Sequence, residues 1–203
     1  MQHHNDKPPL ILASASPRRR ELLQQAGIVF TVVPSNAAED VIVGEAPAEY
    51  ALRVATAKAT EVAKSHPGSW VLGADTIVVA NGEILGKPRD HADGWRMLRL
   101  LSGRRHEVMT AFVLINENGQ RDARQIVTTT VTFKSLSDAQ IQEYLATGEP
   151  FDKAGAYAVQ GIGSALVEKV EGSYTNVVGL PIDEVLEALR SAGLCRHKDT
   201  QLA

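Results

Sequence analysis

Cysteine is almost missing from this chain. Cys195 stands alone among 203 residues, which excludes an intramolecular disulfide framework and a Cys-rich zinc site. No apolar run approaches the length of a membrane span. The first ten residues, MQHHNDKPPL, lack the apolar stretch of a secretory signal. An excess of positive charge is missing too: 21 Lys and Arg face 24 Asp and Glu, for a net charge of −3. That balance disfavours a bulk nucleic-acid binder, usually basic overall, and a polybasic membrane-surface protein. These absences lead us to expect a protein of the reducing cytosol, with neither nucleic acid nor membrane as a partner.

What remains is an ordinary globular composition, 44% hydrophobic and 22% charged. The length fits one domain, at most two-lobed. We expect a single domain over residues 10–196, a loose polar extension over 1–9 and a polar tail over 197–203. Apolar runs alternate with helical patterns, the mark of an α/β architecture. Leu10 to Ser14 and Ile28 to Val33 read as strands around a helix capped by Ser16 and opened by Pro17. Pro47 begins a helix reaching Ser65. Trp70 to Ala80 is a buried strand that turns at Asn81-Gly82 into Glu83 to Leu85. A helix follows from His91 to Leu101, then strands from His106 to Ile115 and Gln125 to Phe133. Ser137 and Gln140 form a capping box for a helix to Ala146. Gly155 to Gly179 is glycine-rich and reads as strand, and Pro181 starts the last helix.

Four places break the local rules. At Ser14 to Arg20 a strand-to-helix turn carries two hydroxyls, Ser14 and Ser16, and three guanidiniums where free N–H groups converge, a plausible phosphate site. Lys58 falls within the apolar stripe Ala51, Val54, Ala55, Lys58, Val62 of the long helix. Asp75 interrupts a strand with apolar residues on both faces, where an unpaired carboxylate is expensive. Phe151 to Gly163 mixes small residues, which admit close approach, with Tyr157 and Gln160, candidates to touch a base. Each has a bland alternative: a solvated arginine face, a snorkelling lysine, a structural ion pair of Asp75 with an arginine, and a glycine-weakened strand. Taken together they suit a nucleoside triphosphate. Arg18, Arg19, Lys58 and Lys87 are candidates to neutralise it, and Glu39 and Asp75 to hold Mg²⁺. A metal-bound or carboxylate-activated water would then attack phosphorus. His3 and His4 read as solvated tail residues, His106 shows no metal-ligand spacing, and Cys195 lies next to a polar tail; each reads as structural or neutral.

The order and spacing of LILASASPRRRELL, the AED around Glu39, EYALRVATAKA, VLGADTIVV, GKPRD, SGRRHEVMTA, TTVTF, FDKAGAYAVQGIG and GSYTNVVGLP resemble the Maf family of nucleoside triphosphate pyrophosphatases. The likeness runs from Leu10 to about Leu189. It implies an elongated mixed β-sheet with flanking helices, similar to inosine triphosphatase, with two lobes around a nucleotide cleft. It implies hydrolysis of the α–β phosphoanhydride to monophosphate and pyrophosphate, a divalent metal (Mg²⁺ or Mn²⁺) and a homodimer. Asp75 matches the family's proton acceptor, and Arg18, Arg19, Glu39, Lys58 and Lys87 match its charged substrate or metal positions. A metal-bound aspartate is a poor base, so the two roles of Asp75 compete. SPRR, GADT and KAGAYAVQG resemble the dTTP/UTP branch rather than the 7-methyl-GTP branch, with Arg18, Thr76 and Gln160 at the specificity positions.

Two other classes fit parts of the pattern. A sugar-nucleotide nucleotidyltransferase would follow its first strand with a glycine-rich loop, and Ala13 to Pro17 contains no glycine. The family's link to arrest of septum formation suggests a nucleotide-dependent regulator acting by binding, but a binding module would not need Asp75 in a buried strand.

Overall fold

The structure, a computed structural model, describes residues 8–195. The expected extension (Pro8 and Pro9 apart) and the tail lie outside those residues, as do His3 and His4.

The chain forms one seven-stranded mixed sheet with helices on both faces. Its strands are β1 (Leu10–Leu12), β2 (Thr31–Val32), β3 (Trp70–Ala80), β4 (Glu83–Leu85), β5 (Arg105–Ile115), β6 (Arg121–Phe133) and β7 (Val167–Glu171). The helices are α1 (Pro17–Gln25), α2 (Pro47–Ser65), α3 (His91–Leu101), α4 (Asp138–Ala146), α5 (Tyr174–Val178) and α6 (Ile182–Ser191). The sheet order is β2-β1-β3-β5-β6-β7, with β4 attached to β3. β1 runs parallel to β2 and β3, and the remaining pairs are antiparallel. No helix among the described residues is long and apolar enough to cross a membrane.

The period-2 alternation of β3 sorts the core. Val71, Ile77 and Val79 pack with Ala51, Val54, Ala55, Ala59 and Val62 of α2 on one face. On the other face, Trp70, Leu72 and Ala74 meet Leu22 and Leu23 of α1 and Val185 and Leu189 of α6. Further along that face, Val78 and Ala80 join Met97, Leu98 and Leu101 of α3 and Ile141 and Leu145 of α4. This face therefore carries two apolar clusters, one at each end of β3.

The edge of β3 explains where a cleft opens. β5 pairs with one edge from Val71 to Val79. The opposite edge is shared: β1 takes Trp70 to Leu72 and β4 takes Val78 to Ala80. Residues 73–77 thus have a strand on one side only, and Asp75 sits in that gap. Such a gap leaves backbone groups that need other partners.

Some expectations change. The first strand stops at Leu12, where Ala13 and Ser14 line the cleft, and the second is the short Thr31–Val32. Gly155 to Gly179 is not one continuous strand. It holds short 3₁₀ turns (Ala154–Ala156 and Gly161–Leu166), then β7 and α5. Positive φ at Gly155, Gly161, Gly172 and Gly179 breaks any continuous extension there.

Candidate active site

A cleft of about 610 Å³ is lined by Ser14 to Arg19, Glu39, Lys58, Asp75 to Val78, Lys87, Asp152 to Ala154, Tyr157 to Gln160 and Val177 to Gly179, among others. All nine sequence-predicted site residues line it: Ser14, Arg18, Arg19, Glu39, Lys58, Asp75, Thr76, Lys87 and Gln160.

At its base a buried lysine joins two carboxylates. Lys58 reaches from α2, on the turn between Ala55 and Ala59, where α2 presses hard onto β3. A Cβ at Gly73 would lie 2.6 Å from the Ala55 carbonyl oxygen and 2.7 Å from the Ala59 nitrogen. Only glycine admits that approach. The Lys58 ammonium lies 2.8 Å from Asp75 Oδ1 and 2.7 Å from Glu39 Oε1. Lys58 is 8% exposed and Asp75 6%. The lysine therefore does not snorkel, and Asp75's ion-pair partner is Lys58 rather than an arginine. Burial pushes the Asp75 carboxyl above the usual aspartate range, against the pull of Lys58 and Arg19. Burial works in the same direction on half-exposed Glu39, but the Lys58 ammonium outweighs it and holds Glu39 below the usual range.

Glu39 arrives on a loop whose backbone is held by side chains of α2. Tyr50 Oη donates to the Glu39 carbonyl at 2.8 Å. Arg53 donates to the Asp40 carbonyl at 2.8 Å and forks onto both oxygens of Glu45. The phenol of Tyr50 is pushed up to about 12 by burial and the nearby Asp75 and Glu39 carboxylates, so it stays a donor. The only sequence hint was an aromatic and an arginine one turn apart in α2, following an acidic loop.

Arg19 stands at the open edge of β3. Its Nε donates to the Gly179 carbonyl (2.9 Å), Nη1 to Ser14 Oγ (3.0 Å) and the Ala74 carbonyl (2.8 Å), and Nη2 to Thr76 Oγ1 (3.0 Å). Four of the five guanidinium N–H bonds thus end on this chain. The guanidinium takes the place of the missing strand at Ala74. Burial lowers its pKa, opposed by Asp75 and Glu39. Thr76 Oγ1 also contacts Thr110 Oγ1 at 2.9 Å and the Gly179 carbonyl at 3.2 Å. Thr110 leads on to Asn176, whose amide donates to the Val108 carbonyl and Thr129 Oγ1. Thr110, Asn176 and Gly179 escaped sequence reading because their link to Arg19 exists only in the folded chain.

The remaining cations stand nearer to solvent. Arg18 makes one long contact, 3.5 Å, to Asp152. Lys87 is exposed on the loop after β4. Gln160 is exposed at the cleft wall. The Tyr157 ring lines the cleft, but its hydroxyl turns inward to His106 Nε2 at 2.8 Å.

Among the described residues no group of three or more His, Cys, Asp or Glu forms a metal cage. Glu39 and Asp75 each keep one oxygen that Lys58 does not use. Two hard carboxylate donors suit Mg²⁺, which ordinarily takes one or two carboxylates and completes its shell with water and substrate phosphates.

Residues 9–192 match the family described as Maf-like protein. A dTTP/UTP pyrophosphatase of Geotalea uraniireducens is 53% identical over 187 residues, covering 92% of this chain and 96% of the relative. A dTTP/UTP pyrophosphatase of Anaeromyxobacter dehalogenans is 54% identical over 189 residues, covering 92% and 95%. Among solved structures, the nucleoside-triphosphatase / dITP/XTP pyrophosphatase of Mycobacterium abscessus matches 92% of this chain and 95% of its own at 15% identity, with a TM-score of 0.43. With the family match spanning nearly all the described residues and about half of all positions shared with these relatives, the chain belongs to the Maf family.

Proposed function

We propose that this protein is a metal-dependent nucleoside triphosphate pyrophosphatase that acts on dTTP and UTP, splitting the α–β phosphoanhydride. The observation that carries the reading is the Glu39–Lys58–Asp75 chain at the base of a cleft walled by Arg18 and Lys87. Preference for dTTP and UTP rests on relatives of that name at 53% and 54% identity.

Arg18 and Lys87, both lining the cleft, meet the triphosphate charge. Glu39 would hold Mg²⁺ or Mn²⁺ through the oxygen that Lys58 leaves open, with water and substrate phosphates completing the shell, which leaves Asp75 Oδ2 free to act as the base. Such an ion, when bound, neutralises phosphate charge and acidifies a water. Asp75 Oδ2 accepts the proton of the attacking water as its oxygen bonds to the α-phosphorus. The bond from that phosphorus to the bridging oxygen breaks, and pyrophosphate leaves with the electron pair. Lys58 keeps Asp75 oriented, and Arg19 holds the neighbouring backbone still, so little rearrangement accompanies the reaction. We place the protein in the cytoplasm and as a homodimer, which sedimentation of the purified chain would test.

The deciding assay is product analysis with dTTP, UTP, CTP and dGTP, with Mg²⁺ or Mn²⁺ and with a chelator. Pyrophosphate and monophosphate from dTTP and UTP, abolished by the chelator, are expected. Orthophosphate instead would move the reaction to another bond, and inertness toward every nucleotide would overturn the assignment.

A further inference from the structure

Gln160 stands on a loop that has no strand partner of its own. Residues 157–160 line the cleft and run into the 3₁₀ turn Gly161–Leu166. Side chains from elsewhere hold the backbone of this loop. Glu149 Oε2 accepts from the Ile162 N–H at 3.0 Å, and Oε1 from the Gly163 N–H at 2.8 Å. Oε1 also accepts from the Tyr144 hydroxyl at 2.9 Å, and that hydroxyl accepts from the Ala158 N–H at 3.1 Å. Three amides, on both sides of Gln160, thus converge on one carboxylate–hydroxyl pair.

The clamp is tight. A Cβ at Gly161 would lie 2.7 Å from Glu149 Oε2, and one at Gly163 would collide with the Tyr144 hydroxyl. Tyr144 is itself locked in the core, 3% exposed against α3 and α4 residues. Burial tends to raise the Glu149 pKa, but its two N–H donors and the tyrosine hydroxyl win, so it is held ionised. Neither Glu149 nor Tyr144 lines the cleft. A rigid anchor behind a wall that carries a hydrogen-bonding side chain fixes where that side chain can meet a ligand.

We propose that Glu149, acting with Tyr144, is a positioning residue that fixes the Gln160 loop and so sets which nucleobase the cleft accepts. The proposal rests on the pyrophosphatase reading. Glu149 touches no substrate, and its influence passes through the amides of Ala158, Ile162 and Gly163.

The test compares Glu149→Gln and Tyr144→Phe with the unaltered enzyme, using dTTP, dCTP and dGTP, with thermal unfolding alongside. Glu149→Gln turns an amide donor toward a backbone N–H. Tyr144→Phe keeps the ring in the core and removes only the hydroxyl. The expected result is a dTTP kcat kept within about threefold, a raised KM, and a dTTP preference in kcat/KM reduced about tenfold or more. An anchor that merely stabilises the fold would lower all three substrates by one factor, so a preference unchanged within about twofold overturns the proposal. If Glu149→Gln does not fold, Tyr144→Phe carries the same ratio test. Unaltered enzyme that releases no pyrophosphate would instead remove the underlying reading.

Discussion

The ammonium of Lys58 lies 2.8 Å from Asp75 Oδ1, and it arrives there from the apolar face of a helix. Two buried charges of opposite sign, each costly alone, are tolerable only together. Asp75 lies on the same face of β3 as Val71, Ile77 and Val79, the face on which α2 packs, and Gly73 lets α2 approach closely there.

Asp75→Asn retains an oxygen for Lys58 but removes the proposed proton acceptor. Turnover on dTTP should fall about 10²- to 10⁴-fold, while unfolding stays cooperative. In the proposed mechanism Asp75 acts as a carboxylate, and burial holds its pKa up. The acid limb of kcat/KM should therefore lie above about pH 4, the ordinary aspartate value. A pH–rate profile checks this, and a limb below that value would argue against Asp75 as the base.

Arg19→Lys keeps the charge and loses the fork. An ammonium cannot span Gly179, Ala74, Ser14 and Thr76 at once. Each buried acceptor left unmatched costs about 1–3 kcal/mol before relaxation. We expect a net loss of about 2–4 kcal/mol in urea unfolding. A substitution that changes only KM would mean that Arg19 serves substrate rather than the open strand edge.

Gly73→Ala inserts a methyl between β3 and α2, against backbone atoms that cannot swing away. Overpacking of this kind costs about 1–3 kcal/mol. Because Ala55 and Ala59 flank Lys58 on α2, the shift should also weaken catalysis, read as a drop in kcat of the folded variant. Unchanged stability and rate would show that α2 can move without penalty.

His106 is 3% exposed, with Nε2 on Tyr157 and Nδ1 without a partner. Burial brings its pKa down to about 4. The unfolded chain, with a histidine near pH 6.5, binds the proton more readily. Stability should therefore be full above about pH 6.5 and fall as pH drops toward 4, by about 3 kcal/mol in all. Denaturant unfolding across that range, compared with His106→Asn, isolates the effect: the variant should lack this part of the slope.

Much of the architecture was legible. The bounds of α2, β3, β4 and α3 follow from apolar period, Pro47 and the Asn81-Gly82 turn. The Ser137–Gln140 capping box is present as read. Asp75 and Lys58 announced themselves because each is a charge inside an apolar pattern. Residues 155–179 were not legible, since a glycine there looks alike in a weak strand and in a turn. The Glu149 clamp and the Asn176–Thr110–Thr76 path were invisible, because their partners lie far apart in sequence.

The sequence by itself determined that Asp75 falls in a strand covered on both faces and that Lys58 falls in the apolar stripe of α2, since alternation and helical period assign faces locally. It also placed the local run of arginines at Arg18 to Arg20 within a mildly acidic chain. Only the tertiary structure decided that Lys58 would bind both Asp75 and Glu39, and that Arg19 would spend four donors on the protein's own backbone and hydroxyls. The physical reason is the split edge of β3. Which strand leaves its neighbour unpaired is a property of the whole sheet, and the groups that gap exposes select their partners in space, not along the chain.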